Sequence, residues 1–216
     1  MRFTRGIGRR KKSKGVRPVP PDGLMQPLLV STGIVALAEI GDKTQLLALV
    51  LAARYRRPLP IILGILAATL ANHGLAASLG ALVAGWLGPD LMRWILGASF
   101  LAMAAWSLIP DKPEEAPKGL ARAGAFLATL VAFFVVEIGD KTQIATVALA
   151  ARFHDLVLVT AGTTLGMLLA NVPAVLCGDG IARVASLRAI RAVAAAGFAV
   201  LGAMTLARLD FGLLGT

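Results

Sequence analysis

Six apolar runs joined by short connections fill most of this chain: Leu28–Leu51, Leu59–Leu87, Leu91–Ile109, Gly124–Ala151, Leu156–Cys177 and Ile190–Leu206. A helix needs roughly 17–25 residues to cross about 30 Å of hydrocarbon, and each run is long enough. The second and fifth runs hold no Asp, Glu, Lys or Arg. Within lipid only helices and closed barrels satisfy their own backbone polar groups. The runs are continuous rather than alternating and rich in Ala and Leu, which selects helices. Charged residues make up only 16% of the chain against 57% hydrophobic, where a soluble protein carries about 25% charged. The sequence therefore predicts an all-α polytopic membrane protein with six transmembrane helices and no length left for a separate soluble domain. A single cysteine, Cys177, excludes an internal disulfide and a multi-cysteine metal cluster.

The chain also repeats itself. Glu39-Ile40-Gly41-Asp42-Lys43-Thr44-Gln45 returns as Glu137-Ile138-Gly139-Asp140-Lys141-Thr142-Gln143, 98 residues later. The same offset links Ala52-Ala53-Arg54 to Ala150-Ala151-Arg152, Gly64 to Gly162, Arg93 to Arg191 and Phe100 to Phe198. The repeat therefore spans three helices in each half, and an odd number of crossings makes the second copy enter the membrane from the opposite face. Two inverted three-helix repeats result: residues 25–109 and 124–216, joined by a loop at 110–123 and preceded by a basic tail at 1–24. In transporters built this way the substrate site lies near the midplane, where equivalent helices meet.

The positive charge is unevenly placed. Eight of the 22 Lys and Arg residues lie between Arg2 and Arg17, followed by Pro18, Pro20 and Pro21, a composition of disordered chain. The tail reads either as an arm for anionic lipid or as an extension ahead of a native start at Met25; a nucleic-acid partner is not expected. Outside the tail, Arg54, Arg56, Arg57, Lys112, Lys118, Arg122, Arg183, Arg188 and Arg191 fall in the loops after helices one, three and five, against Arg93, Arg152 and Arg208 on the other side. Positive loops stay cytoplasmic. With Met25 as the start, nine against three predicts both termini outside and the loops between helices 1–2, 3–4 and 5–6 in the cytoplasm.

The repeated motif carries the chemistry. Glu39 lies roughly 16 Å along the axis from Leu28, and Glu137 roughly 20 Å from Gly124, at 1.5 Å per residue. Carboxylates at that depth cost at least about 2.5–3.5 kcal/mol each, so they are expected to face a polar interior, pair, or bind an ion. On a continuous helix Glu39 and Asp42 share a face with Gln45 close by, and Glu137, Asp140 and Gln143 repeat the arrangement. Two such helices predict a metal site of Glu39, Asp42, Gln45, Glu137, Asp140 and Gln143, supported by Gly41, Lys43, Thr44, Gly139, Lys141, Thr142, Asn72 and Asn171. Oxygen-only ligands suit hard divalent cations such as calcium, magnesium and manganese. Two Glu, two Asp and two Lys sum to −2 when ionised, which one divalent cation or two protons would neutralise.

The bland reading is a structural clasp. Lys43 stands four residues after Glu39 and Lys141 four after Glu137, a spacing that allows an ion pair within each helix. A clasp needs one acid per base, and each copy has a carboxylate to spare. Gly41 and Gly139 remove bulk or bare a carbonyl. Thr44 and Thr142 either support the site or bond their own backbone. Asn72 and Asn171 bond a neighbouring helix or line a path. His73 is expected to be packing, Gly162-x-x-x-Gly166 a helix contact, and Trp86, Trp94 and Trp106 interfacial anchors. No phosphate loop, zinc-protease helix or nucleophile elbow occurs, so neither an enzyme nor ATP-driven transport is expected.

Glu-x-Gly-Asp-Lys-Thr twice, on the first and fourth of six membrane helices, resembles the cation/proton exchanger family that includes Golgi manganese/calcium transporters and bacterial manganese exporters. The resemblance runs from Met25 to Leu209, and both motif copies match without substitution. It implies a cation site at the two motifs, Mn²⁺ or Ca²⁺ as transported substrate, protons as counter-ion and a cytoplasmic central loop. The compact chain looks more like the bacterial exporters, and so implies a bacterial inner membrane protein. The stretch before Met25 is a departure that the family does not require. Export of a small organic solute such as an amino acid, a passive channel, and an intramembrane enzyme or assembly factor are the rival readings. The acid-rich motif suits a bare cation better than an organic solute, no other residue is arranged for an enzyme's chemistry, and dense carboxylates at the midplane favour tight binding over the fast passage of a channel.

Overall fold

The computed structural model describes residues 25–110, 124–177 and 187–208. The basic tail, Lys112, Lys118, Arg122 and Arg183 lie outside the described residues. Among those described there are eight helices: α1 Gln26–Glu39, α2 Lys43–Tyr55, α3 Pro58–Trp86, α4 Pro89–Ser107, α5 Ala125–Glu137, α6 Lys141–Phe153, α7 Leu156–Cys177 and α8 Leu187–Ala207. The protein is an all-helical polytopic membrane protein. Three helices, α3, α7 and α8, are individually long and apolar enough to cross a bilayer.

The main difference from the sequence reading is that the first and fourth runs are not continuous helices. Each breaks at its Ile-Gly-Asp, giving α1–α2 and α5–α6. The cause is a left-handed glycine, Gly41 at φ 82° and Gly139 at φ 77°, flanked by an extended Ile and an extended Asp. A side chain would strain that backbone. Around Gly139 there is open space, with nothing within 4 Å of where a Cβ would sit. Conformation rather than crowding therefore requires this glycine.

The half-helices end alike in both repeats. Arg56 (φ 50°) and His154 (φ 53°), 98 positions apart, close α2 and α6 in the left-handed region. Pro58 then opens α3 at its first position, where its missing N–H costs nothing.

Close packing at small residues holds the repeats together, as expected where lipid removes the hydrophobic drive between helices. A methyl group on Gly162 of α7 would fall 2.5 Å from Leu28 O and 2.9 Å from Ser31 Cβ of α1. Its mate Gly64 of α3 meets Phe126 O at 2.8 Å and Thr129 Cβ at 2.7 Å on α5. These four contact residues are themselves related by the 98-residue offset. Further along, Gly166 meets Thr32 and Ala36, and Asn72 Nδ2 donates to Phe134 O at 3.0 Å. Thus α1 runs beside α7 and α5 beside α3, each in the same direction. Helices α4 and α8 pair antiparallel, with Gly97 against Leu206 and Gly202 against Leu101.

Candidate cation site

The two breaks lie against each other, so the ends of α1 and α5 and the starts of α2 and α6 meet in the protein interior. Glu39, Asp42, Glu137 and Asp140 are all buried there. One carboxylate oxygen from each of Glu39, Asp42 and Asp140 falls within 4.8 Å of the others, a spacing that one cation can bridge. Glu137 is fully buried beside them, and its Oε1, like that of Glu39, has no hydrogen-bond partner among the described residues.

The lysines correct the expectation of pairs within each helix. Lys43 Nζ lies 3.3 Å from Asp140 Oδ1, and Lys141 Nζ lies 2.8 Å from Asp42 Oδ1. Each lysine crosses to the aspartate of the other repeat. The helical i,i+4 geometry that would favour Glu39–Lys43 does not exist, because the break separates them. Cross-pairing also joins the halves at the site itself.

The threonines do not bond their own backbone either. Thr44 Oγ1 donates to Glu39 Oε2, and Thr142 Oγ1 donates to Glu137 Oε2 at 3.1 Å and Asp140 Oδ2 at 3.4 Å. Each threonine hydroxyl reaches back over the break to the acid five residues earlier. Asp140 also caps α6, accepting from Thr142 N at 3.5 Å.

The two glutamines differ from the expected ring of six oxygens. Gln45 Oε1 accepts from Gly41 N at 2.9 Å, and Gln143 Oε1 from Gly139 N at 2.7 Å. Their amide oxygens satisfy the N–H groups that the break releases, instead of joining the carboxylates. Gln45 Nε2 further donates to Ala170 O on α7 at 3.0 Å, a backbone partner that no side-chain pattern could reveal. The asparagines also separate. Asn72 reaches α5, as above, whereas Asn171 Nδ2 turns to Met167 O of its own helix at 3.0 Å. His73 is completely buried on α3.

Chemically, the arrangement concentrates four carboxylates and two ammonium groups in a buried interior where the low dielectric strengthens their mutual interactions. It is suited to holding a hard cation by oxygen alone. It is equally suited to taking up protons on the same oxygens.

Comparison with known proteins agrees with this chemistry. The profile of the family described as "Divalent cation/proton antiporter GDT1" matches residues 27–115 and 125–210. A Vibrio cholerae protein called "Putative manganese exporter" is 53% identical over 191 residues, covering 88% of this chain and 95% of that protein. A GDT1-like protein of Synechocystis is 29% identical over 69% of this chain and 81% of its own length. GDT1-like protein 5 of Arabidopsis thaliana is 29% identical over 74% and 86% respectively. No solved structure matches.

Proposed function

The chain belongs to the divalent cation/proton antiporter family that both of its repeats match, and on that premise we propose that it exports Mn²⁺ from the cytoplasm in exchange for protons. Ca²⁺ is the second cation the site chemistry admits. The observation that carries the reading is the buried meeting of Glu39, Asp42 and Asp140 within 4.8 Å of one another. Glu137 stands beside them, and Lys43 and Lys141 bridge the halves.

In this reading Glu39, Asp42, Glu137 and Asp140 hold the cation. Gln45 and Gln143 hold the broken turns, and Thr44 and Thr142 orient the glutamates. All ionised, the acids and lysines carry −2, so one divalent cation or two protons restores neutrality; the two compete for the same oxygens, and exchange follows. Cation affinity then falls as pH falls, because protonation removes ligand charge. Counting each broken pair as one crossing, the chain crosses six times as two inverted repeats. Both termini lie outside and the arginine-rich turn Arg56–Arg57 lies in the cytoplasm, by the charge bias. A bacterial inner membrane suits the similarity to the Vibrio protein.

Metal uptake into everted vesicles tests the reading, comparing wild type with Glu39→Gln and Asp140→Asn. Mn²⁺ uptake coupled to proton release is expected in the wild type and loss of both in the variants. Equal flux in all three would remove these carboxylates from the mechanism.

A further inference from the structure

The 98-residue symmetry holds through the glycine contacts and the site but fails at α4 and α8. Helix α4 packs on α6, and α8 on α1. Symmetry would require α8 to pack equally on α2, and α4 on α5, and among the described residues neither pair makes comparable contact. The consequence is visible on matched faces. Ala148 and Ala151 of α6 are buried beneath the pair, while their mates on α2 are bare: Val50 is 58% exposed where Ala148 is 4%, and Ala53 is exposed where Ala151 is buried.

Two further features accompany the covered side. Phe100 and Phe198, mates in the repeat and each 1% exposed, lie in one apolar cluster with Ile34 and Ala38 of α1 and Ala145, Ala148 and Leu149 of α6. The opposite cluster draws no residue from α4 or α8. Beyond the phenylalanines, a cavity of about 480 Å³ opens among Asp90, Arg93, Leu96, Ala151, His154 and Arg208. There the pair is tied: Arg208 bridges to Asp90, and Arg93 Nη1 donates to Leu206 O at 2.8 Å. The Arg208–Asp90 bridge has no counterpart at the other end, because Arg188 and Pro110 stand where the repeat would place the mates of Asp90 and Arg208.

We propose that the α4–α8 pair is the gate of the exchanger. In this structure it seals the carboxylate site from the cavity at Asp90 and Arg208, with Phe100 and Phe198 as the plug. To expose the site to that end, the pair leaves α1 and α6 and takes up the mirrored seat on α2 and α5, where Val50 and Ala53 offer the apolar face. By the charge bias the sealed end is the outside. The inference rests on the transport reading above, but its test is readable without transport.

The experiment uses the full chain with its exposed cysteine removed by Cys177→Ser and a probe introduced by Ala148→Cys, beneath the plug. A membrane-impermeant thiol reagent applied from the Arg208 end is expected to label this probe slowly. Adding Phe100→Ala and Phe198→Ala should raise the rate about tenfold or more, as loss of a packed seal exposes a buried position; an unchanged rate overturns the gate. A second arm needs no cavity-forming variant. Leu96→Cys and Ala151→Cys, joined across the cavity by a cleavable crosslinker, should abolish Mn²⁺ exchange while retaining Mn²⁺ binding, with recovery on cleavage. Full exchange by the crosslinked protein also overturns the gate. Accelerated labelling in a protein that moves no Mn²⁺ would instead keep the gate and remove the transport reading.

Discussion

In the first copy of the motif Gln45 is buried and spans to Ala170 of α7. In the second, Gln143 is only half-buried, beside a cavity of about 270 Å³ lined by Leu75, Leu79 and Val147. Ile40 is half-buried where Ile138 is 59% exposed. The lysines invert the pattern, with the Lys43 side chain 12% exposed and that of Lys141 4%. Seven identical residues thus occupy two environments. The motif dictates the break and the pairing, and the neighbouring helices dictate how tightly each copy is held.

The sharpest way to break this comparison is to remove one aspartate at a time. Asp42→Asn takes from the more deeply buried Lys141 its carboxylate at 2.8 Å, and loss of one partner from a buried pair costs roughly 3–5 kcal/mol. Asp140→Asn should cost less, because the Lys43 side chain is less deeply buried. Thermal unfolding in detergent ranks the two; equal losses would deny the asymmetry of the site.

Where the repeats are alike, matched substitutions should act alike. Gly64→Ala and Gly162→Ala each push a methyl into a neighbouring carbonyl, at 2.8 Å and 2.5 Å, and overpacking of this kind costs about 1–3 kcal/mol. A large difference between the two midpoints would show that the halves are not packed as mates.

Gln45→Ala leaves Gly41 N without its partner and removes the extra bond to Ala170 O of α7, a loss of roughly 1–3 kcal/mol when the group is buried. Gln143→Ala leaves only Gly139 N, in a more exposed setting, and should be milder in the same melt. The smallest effect is expected at Gly139. Since open space surrounds it, Gly139→Ala should cost only the left-handed backbone strain of about 1–2 kcal/mol. Gly139→Asn should cost less still, and a larger loss for Asn than for Ala would contradict a purely conformational role.

Much of this was legible in the residues. Six apolar runs fixed the helical membrane class, because lipid allows little else. The recurrence of Glu-Ile-Gly-Asp-Lys-Thr-Gln located the candidate site and related its halves. The i,i+4 spacing of Glu39 and Lys43 misled, since it presumes a helix that Gly41 interrupts. The glutamines looked like ligands because amide oxygen is a plausible one; only the released N–H of each glycine explains where they point. The 98-residue offset paired Phe100 with Phe198, but nothing in the residues showed that the two share one cluster.

What the sequence determined by itself is local or periodic: hydropathy, the repeat, and the acids that recur within it. The tertiary structure alone decided the crossed Lys43–Asp140 and Lys141–Asp42 pairs, the Ala170 anchor and the lean of α4–α8 toward one end. The physical reason is that a repeated sequence specifies equivalent local geometry, whereas a packed bundle can seat a helix pair against only one of two equivalent faces at a time.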